Sequence, residues 1–412
     1  MKKFSIPFSY RSSLISAIKE KRRLADKLKK DFTPTLLDFG PLKIKLARHF
    51  GFCYGVENAI EIAFRTIDEN PGKRIFLLSE MIHNPLVNKD LTDRGIQFLQ
   101  DTSGKNIIPF ESLTSDDVVI IPAFGTTLEI ESRLRKIGIA IEKYNTTCPF
   151  VEKVWNRSEQ IAKKNYTVIV HGKPAHEETR ATFSHASSNT PTVVVNDMKE
   201  AVLLADYING VADAENFYKV FEGKYSAGFD VHNDLKRIGV VNQTTMLASD
   251  TQAIADFLKN IMVKKFQLND ANISEHFADT RDTLCYATND NQSAIHGLLN
   301  EDSDLALVIG GYNSSNTSHL VELCEEKLPT YYIDHVSRIV SKNEIHHHNF
   351  HNKTNSVTMD FLPKKSPLSI SITSGASCPD PIVEEVIKKI ASFYIDEETY
   401  EKKILEWIDA GL

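Results

Sequence analysis

The stretch VIVHGKPAHEETRAT, residues 168–182, decides how this chain is read. Three consecutive β-branched apolar residues suit a strand covered on both faces. The run breaks at Gly172 and Pro174 into a polar segment, the composition of a loop at a strand end. Just upstream, Val151–Lys164 repeats its apolar residues at helical spacing.

The pattern recurs outward from there. Apolar runs rich in β-branched residues lie at Arg74–Leu78, Val118–Ile121, Val193–Val195, Ile238–Val241, Leu305–Ile309 and Leu368–Ile372. Helical periodicity marks Glu57–Asp68, Asp250–Met262, Ser315–Glu326 and Pro381–Ser392. Strand–helix alternation predicts an α/β protein with small, mostly parallel sheets. The expected organisation is an extension over 1–43, three similar α/β units over 44–147, 148–281 and 282–375, and a segment, 376–412, that packs back on the first unit. Residues 207–237 carry glycine, asparagine and charge and read as an insertion in the second unit.

In parallel sheets, ligands sit beyond the carboxyl ends of the strands. The segments IPAFGTT (121–127), NQTTM (242–246), GGYNSSN (310–316) and TSGASCPD (373–380) all follow predicted strands. Their glycines and hydroxyls suit phosphate-cradling loops. Neither a phosphate-loop lysine motif nor GxGxxG occurs, so the usual ATP and NAD sites are not expected.

The chain has 412 residues, is 42% hydrophobic and 25% charged, and has a net charge of -7. That charge gives no basic field for nucleic acid. No apolar run reaches the roughly 18 residues of a membrane helix, and no secretory apolar core opens the sequence. Residues 1–19 are basic, rich in serine and free of acids, as transit peptides are. Leu14, Ile18, Leu24 and Leu28 nevertheless recur at roughly helical spacing, so the expectation is a short amphipathic helix in a cytoplasmic protein. The basic run Lys19, Lys21, Arg22, Arg23, Lys27, Lys29 and Lys30 reads as a solvated helix face, or as an attraction for an acidic electron carrier. His346, His347, His348 and His351 read as a solvated loop, with no cysteine or carboxylate nearby to complete a metal site.

Five cysteines at long spacings, with no CxxC, do not suggest a disulfide framework or a zinc ribbon. Cys53 in GFCYGV, Cys148 in TTCPF and Cys285 in LCYATNDNQ each stand at a loop-to-helix junction. A helix N-terminus favours the thiolate, the form that ligates iron. One such site per unit suggests that three units converge on one centre. Spacing alone leaves three unrelated buried cysteines equally open.

The ordered segments GFCYGVENAI, EMIHNP, TTCPFVEKVW, HEETRAT, NQTTM, CYATNDNQ, NSSN and TSGASCPD resemble the 4-hydroxy-3-methylbut-2-enyl diphosphate reductase family over about residues 44–390. The extension and the IPAFG segment resemble its longer, photosynthetic-type subgroup. The resemblance implies one [4Fe–4S] cluster on Cys53, Cys148 and Cys285, with the fourth iron open to the substrate hydroxyl. It implies diphosphate binding by His83, His176, Ser314, Asn316 and Ser377, with Ser315 touching the substrate, Thr244 near it and Glu178 as proton carrier. Glu177 is the expected dispensable neighbour. Cys324 and Cys378 match no ligand position. Many family members have a histidine at Phe124, which leaves Thr126, Thr127 or the Gly125 N–H to replace that contact. The implied reaction is reductive dehydroxylation to isopentenyl and dimethylallyl diphosphate, with electrons from a ferredoxin or flavodoxin. An iron–sulfur hydro-lyase and a non-catalytic redox sensor are the competing readings.

Overall fold

The computed structural model describes residues 4–278 and 283–409. The chain runs through α1 (Ser13–Ala25), β1 (Thr35–Asp38), β2 (Leu42–Leu46), α2 (Tyr54–Glu69), β3 (Ile75–Leu77), α3 (Pro85–Asp93), β4 (Gln97–Phe98), β5 (Val118–Ile120) and α4 (Leu128–Ile137). It continues through α5 (Pro149–Ala162), β6 (Thr167–His171), α6 (Glu177–Ser187), β7 (Thr192–Val195), α7 (Met198–Asn209), α8 (Ala214–Val220), α9 (Val231–Asp234), β8 (Ile238–Asn242) and α10 (Ala248–Phe266). Then come α11 (Tyr286–Leu299), β9 (Leu305–Ile309), α12 (Ser315–Glu325), β10 (Thr330–Ile333), β11 (Ile339–Ser341), β12 (Glu344–Asn349), β13 (Thr354–Met359), β14 (Leu368–Ser374), α13 (Asp380–Ala391) and α14 (Glu397–Asp409).

Two compact units form. The terminal unit takes in the described residues of Met1–Glu57, His83–Asn88 and Tyr286–Leu412; the middle unit takes in Asn58–Ile82 and those of Lys89–Cys285. The terminal unit is built on a five-stranded sheet of order β1-β2-β14-β9-β10, parallel except for β1. The middle unit holds two parallel three-stranded sheets, β4-β3-β5 and β7-β6-β8. Every residue of β6, β8 and β9 is buried, as parallel strands covered on both faces require. The α/β class with small parallel sheets is as the sequence predicts.

One strand pairing goes unread in the sequence, and two expectations change. Leu42–Leu46 pairs with Leu368–Ile372, so this strand shares a sheet with β9 and β14 and not with β3 and β5. The alternation in LKIKL specifies a strand and its buried face, but not its partner. The histidine tract is β12, paired in register with β13 from His346↔Val357 to His348↔Asn355; the ladder and the ring of Tyr312, stacked on His348 at 4.3 Å, order a sequence read as a loop. Residues 207–237 carry α8 and α9, and Phe217 sits fully buried among Phe221, Tyr225 and Phe229. That aromatic cluster joins the core formed with Ile169 of β6, Val193 of β7 and Ile238 of β8.

In the extension, Ser12 caps α1 by accepting the Ile15 N–H at 2.9 Å, a contact contributing about 1 kcal/mol. Leu14, Ile15 and Ile18 enter the terminal unit's core. Leu24 and Leu28 do not; the helix ends at Ala25 and both are exposed.

Candidate functional site

The middle unit gathers one group of the expected residues. Cys148 is the N-cap of α5, and Pro149 occupies its first turn, where a fixed φ and a missing N–H cost nothing. The Cys148 N–H is held by the Ala123 carbonyl at 3.0 Å. Burial pushes the Cys148 thiol up to about 12; the N–H groups of Phe150 and Val151 oppose this, while Cys285 and Glu178 add to it. The expectation that the helix start alone would favour thiolate therefore fails here, because desolvation outweighs it.

Glu178 lies in the first turn of α6 with 1% of its surface exposed. Its carboxylate accepts the Thr244 N–H at 2.5 Å and the Thr244 hydroxyl at 2.9 Å. The Thr244 carbonyl in turn accepts the Cys285 N–H at 3.3 Å. Cys285 immediately precedes α11. Glu178, Thr244 and the two cysteines thus form one connected set. Glu177 is buried as well, on a cavity of about 220 Å³ that Ser79, Gln100, Thr126 and Arg180 also line.

His176 caps α6, its Nδ1 accepting the Glu178 N–H at 3.2 Å. The neutral ring then carries its proton on Nε2, a donor for an anion. The Phe124 ring meets His176 edge-on at 5.5 Å, so the residue standing at the family's third histidine braces the second. Thr127 is used as the cap of α4, and Trp155 lies so close to Gly125 that a Cβ there would come within 2.5 Å of its ring. Gln243 and Thr245 bond to each other at 2.7 Å. The Gln243 Oε1 also accepts from the Lys173 N–H and the Thr179 hydroxyl, which makes both residues supports of the β6 and β8 loops. Two further histidines have structural contacts: His171 faces the Thr251 hydroxyl at 3.1 Å, and His185 stacks on Trp155 at 3.7 Å.

The terminal unit gathers the other group. Cys53 precedes α2; its N–H is held by the Ala376 carbonyl at 3.2 Å, and its carbonyl accepts the Glu57 N–H. The Ser377 hydroxyl donates to the His83 carbonyl at 3.2 Å. That carbonyl also lies so near Gly311 that any Cβ there would collide with it. Ser314 caps α12, accepting from the Thr317 N–H and hydroxyl. Asn316 accepts the Ala376 N–H at 2.9 Å and the Asn291 amide at 3.4 Å. Its Nδ2 and the Ser315 Oγ are buried and have no protein partner among the described residues. Buried donors without partners are costly, and an anionic ligand's oxygens would satisfy both.

Sequence reading missed three supports. Asn291 lies inside the CYATNDNQ segment and holds Asn316. Thr317 follows NSSN and fills the space between Gly310 and Gly375. Tyr332, buried, donates to the Gly311 carbonyl. Adjacency to a quoted segment could have flagged the first two; nothing local flags Tyr332.

The family model described as LytB protein matches residues 44–391. The chain belongs to the LytB family. Proteins named 4-hydroxy-3-methylbut-2-enyl diphosphate reductase from two Synechococcus strains, WH7803 and CC9605, are 40% and 44% identical; the alignments cover 94% and 86% of this chain and 92% and 86% of theirs. A third, from Trichodesmium erythraeum, is 39% identical over 93% of this chain and 90% of its own. A solved reductase structure from Plasmodium falciparum shares the fold at a TM-score of 0.59 and 22% identity, covering 85% of this chain and 87% of that one. A second, titled as the terminal enzyme of the non-mevalonate pathway, does so at 0.51 and 24%, over 85% and 99%.

LytB enzymes are iron–sulfur oxidoreductases, and the thiols of this member fit that cofactor. Cys53, Cys148 and Cys285 are half-buried and unbridged, whereas Cys324 and Cys378 are fully buried. Thiolate sulfur is the usual protein ligand of iron–sulfur clusters. The Phe150 and Val151 N–H groups that favour Cys148 thiolate are of the kind that tune cluster sulfurs. The basic run of the extension is largely engaged within the chain: Lys19 with Asp380, Arg22 with Asp31, Arg23 with Glu20 and Lys29 with Asp290. No described helix is long and apolar enough to cross a membrane.

Proposed function

We propose that the chain reduces (E)-4-hydroxy-3-methylbut-2-enyl diphosphate to isopentenyl and dimethylallyl diphosphate, consuming two electrons and two protons and releasing the hydroxyl as water. The observation that carries this is the buried Glu178 carboxylate, held at both oxygens by Thr244 and electrostatically linked to Cys148. Dehydroxylation needs a proton delivered to the leaving oxygen, and a carboxyl group in a dry site is a suitable carrier.

Cys53, Cys148 and Cys285 would hold one [4Fe–4S] cluster through three thiolates, leaving one iron for the substrate. When bound, that group supplies electrons singly and a Lewis-acid position for the leaving oxygen. Glu178 holds the proton at a carboxylate oxygen, and Thr244 fixes which way that oxygen points. His83, His176, Ser314, Ser315, Asn316 and Ser377 bind the diphosphate and so supply orientation more than chemistry. The Nε2–H of His176 and the free donors of Ser315 and Asn316 suit phosphate oxygens. Thr126 is the remaining hydroxyl in the IPAFGTT loop that could replace the family histidine, since Thr127 is used as a cap. Electrons arrive from a ferredoxin or flavodoxin in the cytoplasm.

Anaerobic purification with iron and sulfide analysis, followed by an assay with a chemical reductant and dye, tests this reading. Iron near four per chain and turnover only with reductant support it. Turnover without reductant would indicate a hydro-lyase, and a cluster without turnover a sensor.

A further inference from the structure

The residues flanking Cys53 are touched, almost one by one, by the N-terminal segment. Arg48 Nη2 donates to the Arg22 carbonyl at 3.2 Å. The ring of His49 meets Phe32 at 5.9 Å, and Lys19 Nζ lies 4.8 Å from the Phe50 ring centre. Phe52 takes the edge of Tyr10 at 6.0 Å, and Tyr54 that of Phe4 at 4.9 Å. The contact at Gly51 is the closest. Its φ of +74° favours glycine, and a Cβ there would stand 2.6 Å from Asp380 Oδ1 and 3.0 Å from Lys19 Nζ.

Those two atoms form an ion pair of 2.7 Å, with side-chain exposures of 35% for Lys19 and 16% for Asp380. The pair is partly desolvated, unlike an ordinary surface pair. Asp380 opens α13 two residues after Cys378. One turn further along α13, Glu384 accepts the Ser12 hydroxyl. The helix α1 is thereby fixed to α13 at two carboxylates four residues apart, and the Cys53 loop lies under the first of them.

We propose that residues 4–32 are a brace for the Cys53 loop, with Lys19 and Asp380 as its pin, and that these two are positioning residues for the reaction. The bracing stands on the contacts alone. Its value for holding Cys53 as a ligand rests on the iron–sulfur reading above. Of the extension's basic run, Arg22 is buried and Lys19 half-buried against this region, whereas Arg23, Lys27, Lys29 and Lys30 stay exposed.

Amide hydrogen exchange on the full-length, anaerobically purified chain tests the brace. Lys19→Met should speed exchange at amides 50–54 about tenfold, as loss of a local contact does, while a peptide over 149–162 is unchanged. Lys19→Arg restores the charge and should stay within about twofold of the parent. Asp380→Asn should repeat the Lys19→Met pattern. If Lys19→Met does not fold, Tyr10→Ala removes one ring contact, leaves both ion partners in place, and should still accelerate 50–54 selectively. Unchanged exchange at 50–54, or an equal rise in both peptides, overturns the proposal. Iron per chain, measured on the same samples, separates the two readings. A parent without iron but with the selective exchange pattern refutes the cofactor reading and leaves the brace. A parent with iron but without that pattern refutes the brace alone.

Discussion

The two groups of functional residues use their polar atoms in opposite ways. In the middle unit, Glu178 takes both donors of Thr244, Gln243 ties two loops together, and His176 uses one nitrogen to cap its helix. In the terminal unit, Ser315 Oγ and Asn316 Nδ2 are buried with no hydrogen-bond partner among the described residues. A group that delivers a proton must be held in one geometry before the substrate arrives. Groups that bind an anion must keep donors free for it, at a cost in stability. On the proposed function, the contrast sets a proton-carrying Glu178 apart from diphosphate-binding Ser315 and Asn316, and substitutions at these positions should separate the same way.

The largest effect should come from the thiols. Cys148→Ser should strip iron from the anaerobically purified chain and abolish turnover, while Cys324→Ser, within α12, should retain iron. Iron loss from Cys324→Ser would break the assignment. Next, Glu178→Gln keeps the size of the side chain but not its proton, and should lower kcat about 10²–10⁴-fold with little change in KM. A raised KM with normal kcat would move Glu178 to the binding group and erase the contrast.

Ser315→Ala should raise KM about tenfold without lowering the thermal midpoint, because its hydroxyl makes no hydrogen bond among the described residues. Asn316→Ala sharpens the point. It also releases the Ala376 N–H and Asn291 amide, so it should cost roughly 1–2 kcal/mol of stability besides raising KM.

The smallest effect concerns pH. Burial lowers the His49 imidazole to about 4, with Arg48 and Lys29 acting in the same direction and Asp290 and Asp26 opposing. A histidine with a folded value below its unfolded value of about 6.5 gives stability that is full above that pH and lost as pH falls toward 4. The ring is part-exposed, so after screening this is about 1 kcal/mol. His49→Gln should flatten the fall in thermal midpoint between pH 7 and 5; an unaltered slope would assign it to other groups.

Much of this was legible in sequence because it is local. The β-branched runs became β3, β5, β6, β7, β8, β9 and β14, and loops rich in glycine and hydroxyls follow their carboxyl ends. The three cysteines stand at helix starts, as Pro149 and the flanking periodicity imply. Ordered segments pointed to Glu178, Thr244 and the NSSN loop. Strand pairing was not legible: LKIKL carries a period but no address for β14, more than 300 residues away.

The chain's own sequence therefore determined the strands β3, β5, β6, β7, β8, β9 and β14, which thiols begin helices, and the family to which they belong, since those depend on neighbours along the backbone. Only tertiary structure decided that burial outweighs the helix start at Cys148, that Thr244 holds Glu178, and that Ser315 Oγ and Asn316 Nδ2 are buried without a partner among the described residues. Desolvation and hydrogen bonding depend on atoms brought close by folding, and spacing along the chain does not specify them.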